Sequence, residues 1–535
     1  MPERSSTSHL IFALALLALV IFLQAQNGAF QSDFGGHPDE AAHVVTGLMV
    51  RDYLAGPLWH LQHPMHYAQD YYDHFPKVAL GHYPPGFYLV MGLWLLPVRS
   101  KLSILIFSAV MTVIAALLTS RMARSMVSQT SAMVCGLAFV LLPLVQTYTA
   151  IVMSDLMVVS LTILALMNLQ QFFHTERLSS ALGFGIFAAL AILTKAAGLF
   201  LALAPALVII LSGRWRVLKN WRFWMAPIPV IIFALPWMLY SWKITADGLS
   251  SEPLGQYAKH AVAFYSGAVV REIGWAGLIL LVLGLAARWL KNCIENEKKI
   301  SWAIHGSAIL SLLAFYICTP SGLDERYLLP ILPSALILAL YGVESLVAML
   351  RPSPQVSLTA KVAATVAAVV IVLGAWRPTG KLFTGAEACI QQSLAHEKGA
   401  TCLLVSGSAN TEGALVAAAA LNPHHDSLTV IRATKALAET DWMGRNYVSK
   451  YKEPSVLLSY LHSAHVAYVI LDTPVTGDST FPHEFLLAQT LKDAGSHTSS
   501  GDYREAFSLD GQRRGAPPVT MCVFDSSVPS TSQKE

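Results

Sequence analysis

The sequence predicts an all-α polytopic membrane protein, with about 11 transmembrane helices plus juxtamembrane helices and a small extracytoplasmic α/β domain at the C-terminal end. Three observations lead there. Hydrophobic residues make up 54% of the 535 positions and charged residues only 13%, whereas a soluble chain carries about 25% charged residues. Uncharged runs near the length of a bilayer core recur through the first 376 positions. After 382 the rhythm changes: short apolar runs at 402–405, 428–431, 466–471 and 521–524 alternate with helical patterns at 411–421 and 454–462. The domains follow: 1–380 membrane-embedded, 381–525 α/β, and a disordered tail at 526–535. A net charge of +3 and the lack of any RNA- or DNA-binding motif exclude nucleic acid as a partner.

The spans fall at 9–26, 101–120, 130–150, 153–172, 179–194, 197–212, 221–241, 272–290, 301–318, 326–349 and 358–376. The first is longer than a signal-peptide core and lacks a good cleavage site near Ala25, so it reads as a retained helix. The stretch 179–212 is too long for one span, and Lys195 with Gly198 marks the break. The apolar piece 85–97 is too short for roughly 30 Å of hydrocarbon. It reads as an interfacial helix, with Trp94 and Tyr88 suited to headgroup depth.

Basic residues fix the orientation. With the N-terminus cytoplasmic, Arg121, Arg124, Arg177, Arg214, Arg216, Lys219, Arg222, Arg288, Lys291, Lys298, Lys299, Arg351 and Lys361 all fall inside, and the tail falls outside. The same orientation sends the unusual polar clusters outward. The first outer loop, 28–100, holds Asp33, Asp39, Glu40 and Asp52 together with seven histidines, His37, His43, His60, His63, His66, His74 and His82. Ser154-Asp155, Lys195, the loop at 242–271 with Lys243, Lys259, His260 and Arg271, and Asp324-Glu325-Arg326-Tyr327 occupy later outer positions. Cys135, Cys293 and Cys318 read as small apolar filler. An exported tail would allow one disulfide among Cys389, Cys402 and Cys522.

Ionisable groups beside lipid are costly, which makes them candidates for chemistry. Asp39 can act as a general base on an acceptor hydroxyl or amine, or hold a metal; its plainer role is to cap the helix that begins near Pro38-Asp39-Glu40. His43 shares the Asp39–Glu40 face of that helix. With His82 or another loop histidine it could bind a divalent metal, although a packed histidine needs no ligand and no His-Glu-x-x-His run is present. His82-Tyr83-Pro84-Pro85 makes a rigid entry to the interfacial helix, and His82 and Tyr83 could line a sugar pocket. Asp155 has no sequence neighbour to pair with; Lys195 or Arg326 could reach it in space. Lys195 and Arg326 suit phosphate oxygens, or else snorkel to the interface.

Together these residues resemble the GT-C superfamily of polyprenyl-phosphate-sugar glycosyltransferases, and most of all the family 39 type, the bacterial protein mannosyltransferases and aminoarabinose transferases. Pro-Asp-Glu at 38–40, His-Tyr-Pro-Pro at 82–85, Ser-Asp at 154–155 and Arg-Tyr-Leu-Leu-Pro at 326–330 carry the likeness, with Leu-Thr-Lys at 193–195 as a weaker fifth motif. The resemblance implies catalytic roles for Asp39, Glu40 and Asp155, and donor or sugar contacts from Lys195, Arg326, Tyr327, His82 and Tyr83. Aminoarabinose transferases place a Lys directly before the paired prolines, where this chain has Tyr83.

The resemblance further implies a polyprenyl-phosphate-linked sugar donor in a bacterial plasma membrane, and an extracytoplasmic acceptor that is a lipid, glycan or protein. A divalent metal is an expectation at His43. The competing reading, a transporter or lipid flippase without chemistry, predicts an internal repeat and charges deep within spans.

Overall fold

The computed structural model describes residues 3–57, 63–290, 296–350, 356–395, 399–441, 444–473, 481–496, 503–515 and 519–526. His60, Lys291, Cys293, Arg351 and the tail from 527 onward lie outside the described residues. Contacts divide the chain into two compact units. One comprises Met1–Asn27, Gly81–Phe87 and Ile106–Thr379; the other comprises Gly28–Leu80, Tyr88–Leu105 and Gly380–Glu535.

Among the described residues, seven helices are long and apolar enough to cross a membrane: His9–Gln26, Lys101–Ala123, Asp155–Thr175, Phe223–Ala246, Leu254–Ala287, Lys298–Cys318 and Glu325–Leu350. Gln129–Leu141 and Pro143–Ala150 are apolar enough only when taken together, and they bend by 58° with Pro143 at the break. Leu178–Thr194, Ala196–Ser212 and Leu358–Gly374 are shorter apolar helices. These together fill the eleven segments read from the sequence, in a multi-pass membrane protein. Ile231, Ile232, Phe233, Leu239 and Trp242 are exposed along one outer helix, as a lipid-facing surface requires.

In the first unit, the helix Asp155–Thr175 has 21 residues, about 31 Å at the α-helical rise. The next helix, Leu178–Thr194, returns beside it. Asp155 and Lys195 therefore share one end of the hairpin. At the opposite end Arg214 donates to the Phe173 carbonyl (2.8 Å) and Asn220 to Glu176 (2.8 Å). The helices Leu254–Leu290 and Leu332–Leu350 cross at Gly284 and Gly342, where a Cβ on Gly284 would fall 1.9 Å from the Leu338 oxygen. Small residues let membrane helices approach this closely.

Two local expectations change. The loop at 242–271 carries a helix from Leu254 onward, continuous with the span except at Gly274, whose φ of +70° glycine adopts without strain. Tyr257, Ala261, Tyr265 and Ala268 are buried at helical spacing, while Lys259 and His260 are exposed, so the segment is amphipathic and not a loop. The short helix forms as Gly86–Leu95, and of its two expected headgroup residues Trp94 is exposed while Tyr88 is fully buried.

The second unit joins the helices Pro38–Ala55 and Pro64–His74 to the tail. Its strands are β1 (Thr401–Ser406), β2 (Leu428–Arg432), β3 (Ala438–Glu439), β4 (Val448–Ser449), β5 (Val466–Thr473), β6 (Arg504–Gly511) and β7 (Val519–Asp525). Five of them form one sheet in the order β2-β1-β5-β7-β6; β1 runs parallel to β2 and β5, and β7 antiparallel to β5 and β6. Leu404, Leu457, Leu461, Val469, Leu487 and Leu491 build its core. The helix Ala409–Leu421, with Ala414, Ala417 and Ala420 buried, lies against Pro38–Ala55. Cys389, Cys402 and Cys522 are free thiols, so the disulfide does not form.

Candidate functional site

In the first unit, helix ends bring four of the expected residues together. Asp155 opens one helix and Lys195 caps the C-terminus of the next, so each charge complements the dipole of its own helix. Lys195 Nζ lies 2.6 Å from Asp155 Oδ1, with the side chains 10% and 3% exposed. The other Asp155 oxygen is buried with no hydrogen-bond partner among the described residues. The Lys195 ammonium also sits 4.7 Å from the centre of the Tyr327 ring. That ring stacks on Tyr316 at 4.5 Å and is nearly parallel to it.

Arg326 approaches the same ring from its neighbouring position, 5.4 Å from the centroid. Asp324 caps this segment: its carboxylate accepts the Arg326 N–H at 3.0 Å and pairs with Nε at 3.0 Å. A guanidinium has five N–H donors and can bridge two anions. Glu325 is held separately by Arg271 (2.5 Å) and Arg377 (3.4 Å). Cations on an aromatic floor, each balanced by one carboxylate, make a surface on which a phosphate can be bound by exchange of partners.

His82 and Tyr83 lie in the turn before Gly86–Leu95, closed by the Gly81 N–H on the Tyr83 oxygen at 3.3 Å. Thr245 donates to the Gly81 carbonyl (3.2 Å). Gly86 is so close to the helix leading into Lys195 that a Cβ would sit 2.7 Å from the Leu193 oxygen.

The acidic pair lies in the second unit, and its members face different ways. His37, and not Asp39 or Glu40, is the helix cap: its Nδ1 accepts the Asp39 N–H at 3.0 Å, and Pro38 takes the first helical position. Asp39 is thereby relieved of capping and its side chain is 18% exposed. Glu40 is fully buried, with Oε1 2.6 Å from Lys381 Nζ and Oε2 accepting the Gly36 N–H at 2.9 Å.

His43 is also fully buried, with Nδ1 3.0 Å from the Tyr88 hydroxyl. Among the described residues no group of three His, Cys, Asp or Glu side chains could hold a metal ion, so the metal expected at His43 finds no ligand set there.

Three buried charges here escaped the sequence reading. Lys381, five residues beyond the last apolar run, stands in no motif of the sequence. Lys77 is buried; desolvation and the Arg432 charge push its pKa down to about 7 against the opposing pull of Glu412 and Asp39. Its legible signal was a lone lysine before the apolar run Val78-Ala79-Leu80. Arg432 pairs with Glu412 at 2.9 Å and donates to the Pro76 carbonyl at 3.3 Å.

Comparison with known proteins agrees with this architecture. The family model described as dolichyl-phosphate-mannose-protein mannosyltransferase matches residues 82–240, which include His82, Tyr83, Asp155 and Lys195. The chain is similar in structure to ArnT from Cupriavidus metallidurans bound to undecaprenyl phosphate, with TM-score 0.57 and 12% identity over 99% of this chain and 100% of that one. It is also similar to the apo form of the Archaeoglobus fulgidus oligosaccharyltransferase, with TM-score 0.51 and 12% identity over 86% of this chain and 69% of that one. No curated protein sequence matches. The chain shares its fold with these two membrane proteins, in line with the architecture that the GT-C resemblance implied.

Proposed function

We propose that this multi-pass membrane chain of GT-C architecture moves a sugar from a polyprenyl-phosphate donor to an extracytoplasmic acceptor by direct displacement at the anomeric carbon. Asp39 takes the proton of the acceptor hydroxyl or amine as the acceptor atom bonds to that carbon. The bond from the carbon to the donor phosphate oxygen breaks, and the lipid phosphate leaves with both bonding electrons. Arg326 and Lys195 hold the phosphate as its charge grows, and Tyr327 floors them. Asp155 keeps the Lys195 ammonium in place, and the His82–Tyr83 turn contacts the sugar. No step here is routed through a metal.

The observation that carries this reading is the buried Asp155–Lys195 pair beside Tyr327 and Arg326, at the ends of apolar helices. The undecaprenyl phosphate bound to the similar ArnT supports the choice of carrier. To test it, undecaprenyl phosphate and neutral undecaprenol are titrated onto the purified protein. The parent should prefer the phosphate, and Arg326→Ala should weaken phosphate binding by roughly 1.5–3 kcal/mol, the usual value of a hydrogen bond to a charged group. Equal binding of both lipids, or an unaffected Arg326→Ala, would assign this cluster to structure.

The proposal includes a bacterial plasma membrane with the N-terminus cytoplasmic, supported by Arg214 and Arg222, which donate to the Phe173 and Glu176 carbonyls at the hairpin end opposite Asp155 and Lys195. A periplasmic-type reporter fused after Pro378 should be active. Activity of a cytoplasmic reporter at the same position would overturn the orientation.

A further inference from the structure

We infer that Lys381 and the first turn of the Ala409–Leu421 helix are positioning elements for Asp39, and that holding this acid in place is what the C-terminal α/β segment contributes to transfer. The inference rests on the role proposed for Asp39.

The loop before Asp39 is tied to the tail at almost every residue. Ser32 Oγ donates to the Lys381 carbonyl (2.6 Å). The Asp33 N–H donates to the Phe383 carbonyl (2.7 Å), and the Asp33 carboxylate accepts the Ala386 N–H (2.8 Å). The Lys381 ammonium lies 4.8 Å from the centre of the Phe34 ring. Asn410 donates to the Gly35 carbonyl (2.9 Å). Gly35 is held so closely that a Cβ would fall 2.7 Å from the Phe383 ring. Glu40 then closes the loop, bridging the Gly36 N–H and Lys381 Nζ with its two oxygens. One carboxylate thus fixes both ends of the Gly36-His37-Pro38-Asp39 turn.

The sheet explains why the tail can do this. Its chain runs from β1 to β2 on one side, while β5 lies on the other. In open α/β sheets ligands bind outside the carboxyl ends of strands at such a switch point. Here that end is filled by the chain itself. Ser408 caps the helix after β1, and Asp472 at the end of β5 accepts from Thr411 (2.6 Å) and pairs with Arg513. Asn410 and Gly413 of the same helix meet Gly35 and Ala41. The segment keeps the geometry of a binding end but spends it on the loop that carries Asp39.

The Glu40–Lys381 pair is 0% and 1% exposed. Well-packed apolar residues often match such a pair in stability, so stability alone does not account for two charges at this depth. A fixed direction for the neighbouring Asp39 does.

The test uses full-length protein in detergent and radiolabelled undecaprenyl-phosphate mannose and undecaprenyl-phosphate aminoarabinose as donor probes. Lys381→Met should lower kcat per folded molecule by up to about 10²-fold, the cost of a misplacement near 1 Å, while the donor KM stays close to parental. Lys381→Arg should restore most of kcat. Asn410→Ala should melt like the parent and lower kcat less than Lys381→Met does, again without moving KM. Independently of any donor, backbone amide exchange across 32–43 should rise in both Lys381→Met and Asn410→Ala.

Parental kcat in well-folded Lys381→Met, or a donor KM that rises as far as kcat falls, would overturn the inference. If Lys381→Met does not fold, unchanged kcat and unchanged amide exchange in Asn410→Ala would overturn it. Parental turnover in Asp39→Asn would instead sink the underlying role of Asp39, so the two failures are distinguishable.

Discussion

Asp39→Asn is expected to insert, fold and melt like the parent while losing about 10²–10⁴-fold in turnover, the usual contribution of a positioned general base. The structure sharpens this expectation. His37 supplies the helix cap, so Asp39→Asn leaves the capping side chain itself in place. Its carboxylate is partly exposed at the second position of the helix, and Asn there keeps size and polarity but cannot take a proton. Glu40→Gln tests a different quantity. It removes the charge that faces Lys381 and should reduce stability as well as turnover. Asp39→Asn with near-parental single-turnover transfer would remove Asp39 from the chemistry and move the search for a base to Asp155.

Lys195→Met should be the most destabilising single substitution in the first unit. It leaves the Asp155 carboxylate, 3% exposed, without its cation. Breaking a buried pair from one side costs about 3–5 kcal/mol. Asp155→Asn combined with Lys195→Met removes both charges and should recover most of that loss in a detergent melting curve. The double variant should still fail in transfer, because the ammonium proposed to face the phosphate is gone. A Lys195→Met protein that melts like the parent would mean that Asp155 is not held as an anion by this lysine.

The spans were legible because hydropathy is a local property, and the eleven apolar segments needed no partner to be recognised. The end of each span was less so. The amphipathic helix from Leu254 escaped because Lys259, His260 and Gly267 broke its apolar run, although Tyr257, Ala261 and Tyr265 kept the helical spacing. Tyr88 was read as interfacial from its type, whereas burial against His43 depends on how two distant segments meet. Asp155 was legible as a lone acid, and its partner was one of two cations named. Only the return of one helix beside its neighbour selects Lys195.

Glu40 shows where such reading stops. Adjacent carboxylates look alike in sequence, but the helix turns one toward solvent and the other inward. The lysine that receives the inward one comes 341 positions later. The helix cap was within reach: Pro38 at the first helical position already names His37 as its predecessor.

The most direct test of the account is a single-turnover transfer assay in sealed vesicles containing the purified chain, undecaprenyl-phosphate sugars labelled in the sugar, and a membrane extract as acceptor source. The account predicts that label leaves the lipid carrier for an acceptor with the parent protein, and stays on the carrier with Asp39→Asn. Label that remains on every carrier with the parent protein, and instead appears on the opposite leaflet, would contradict it and identify the chain as a transporter of the lipid.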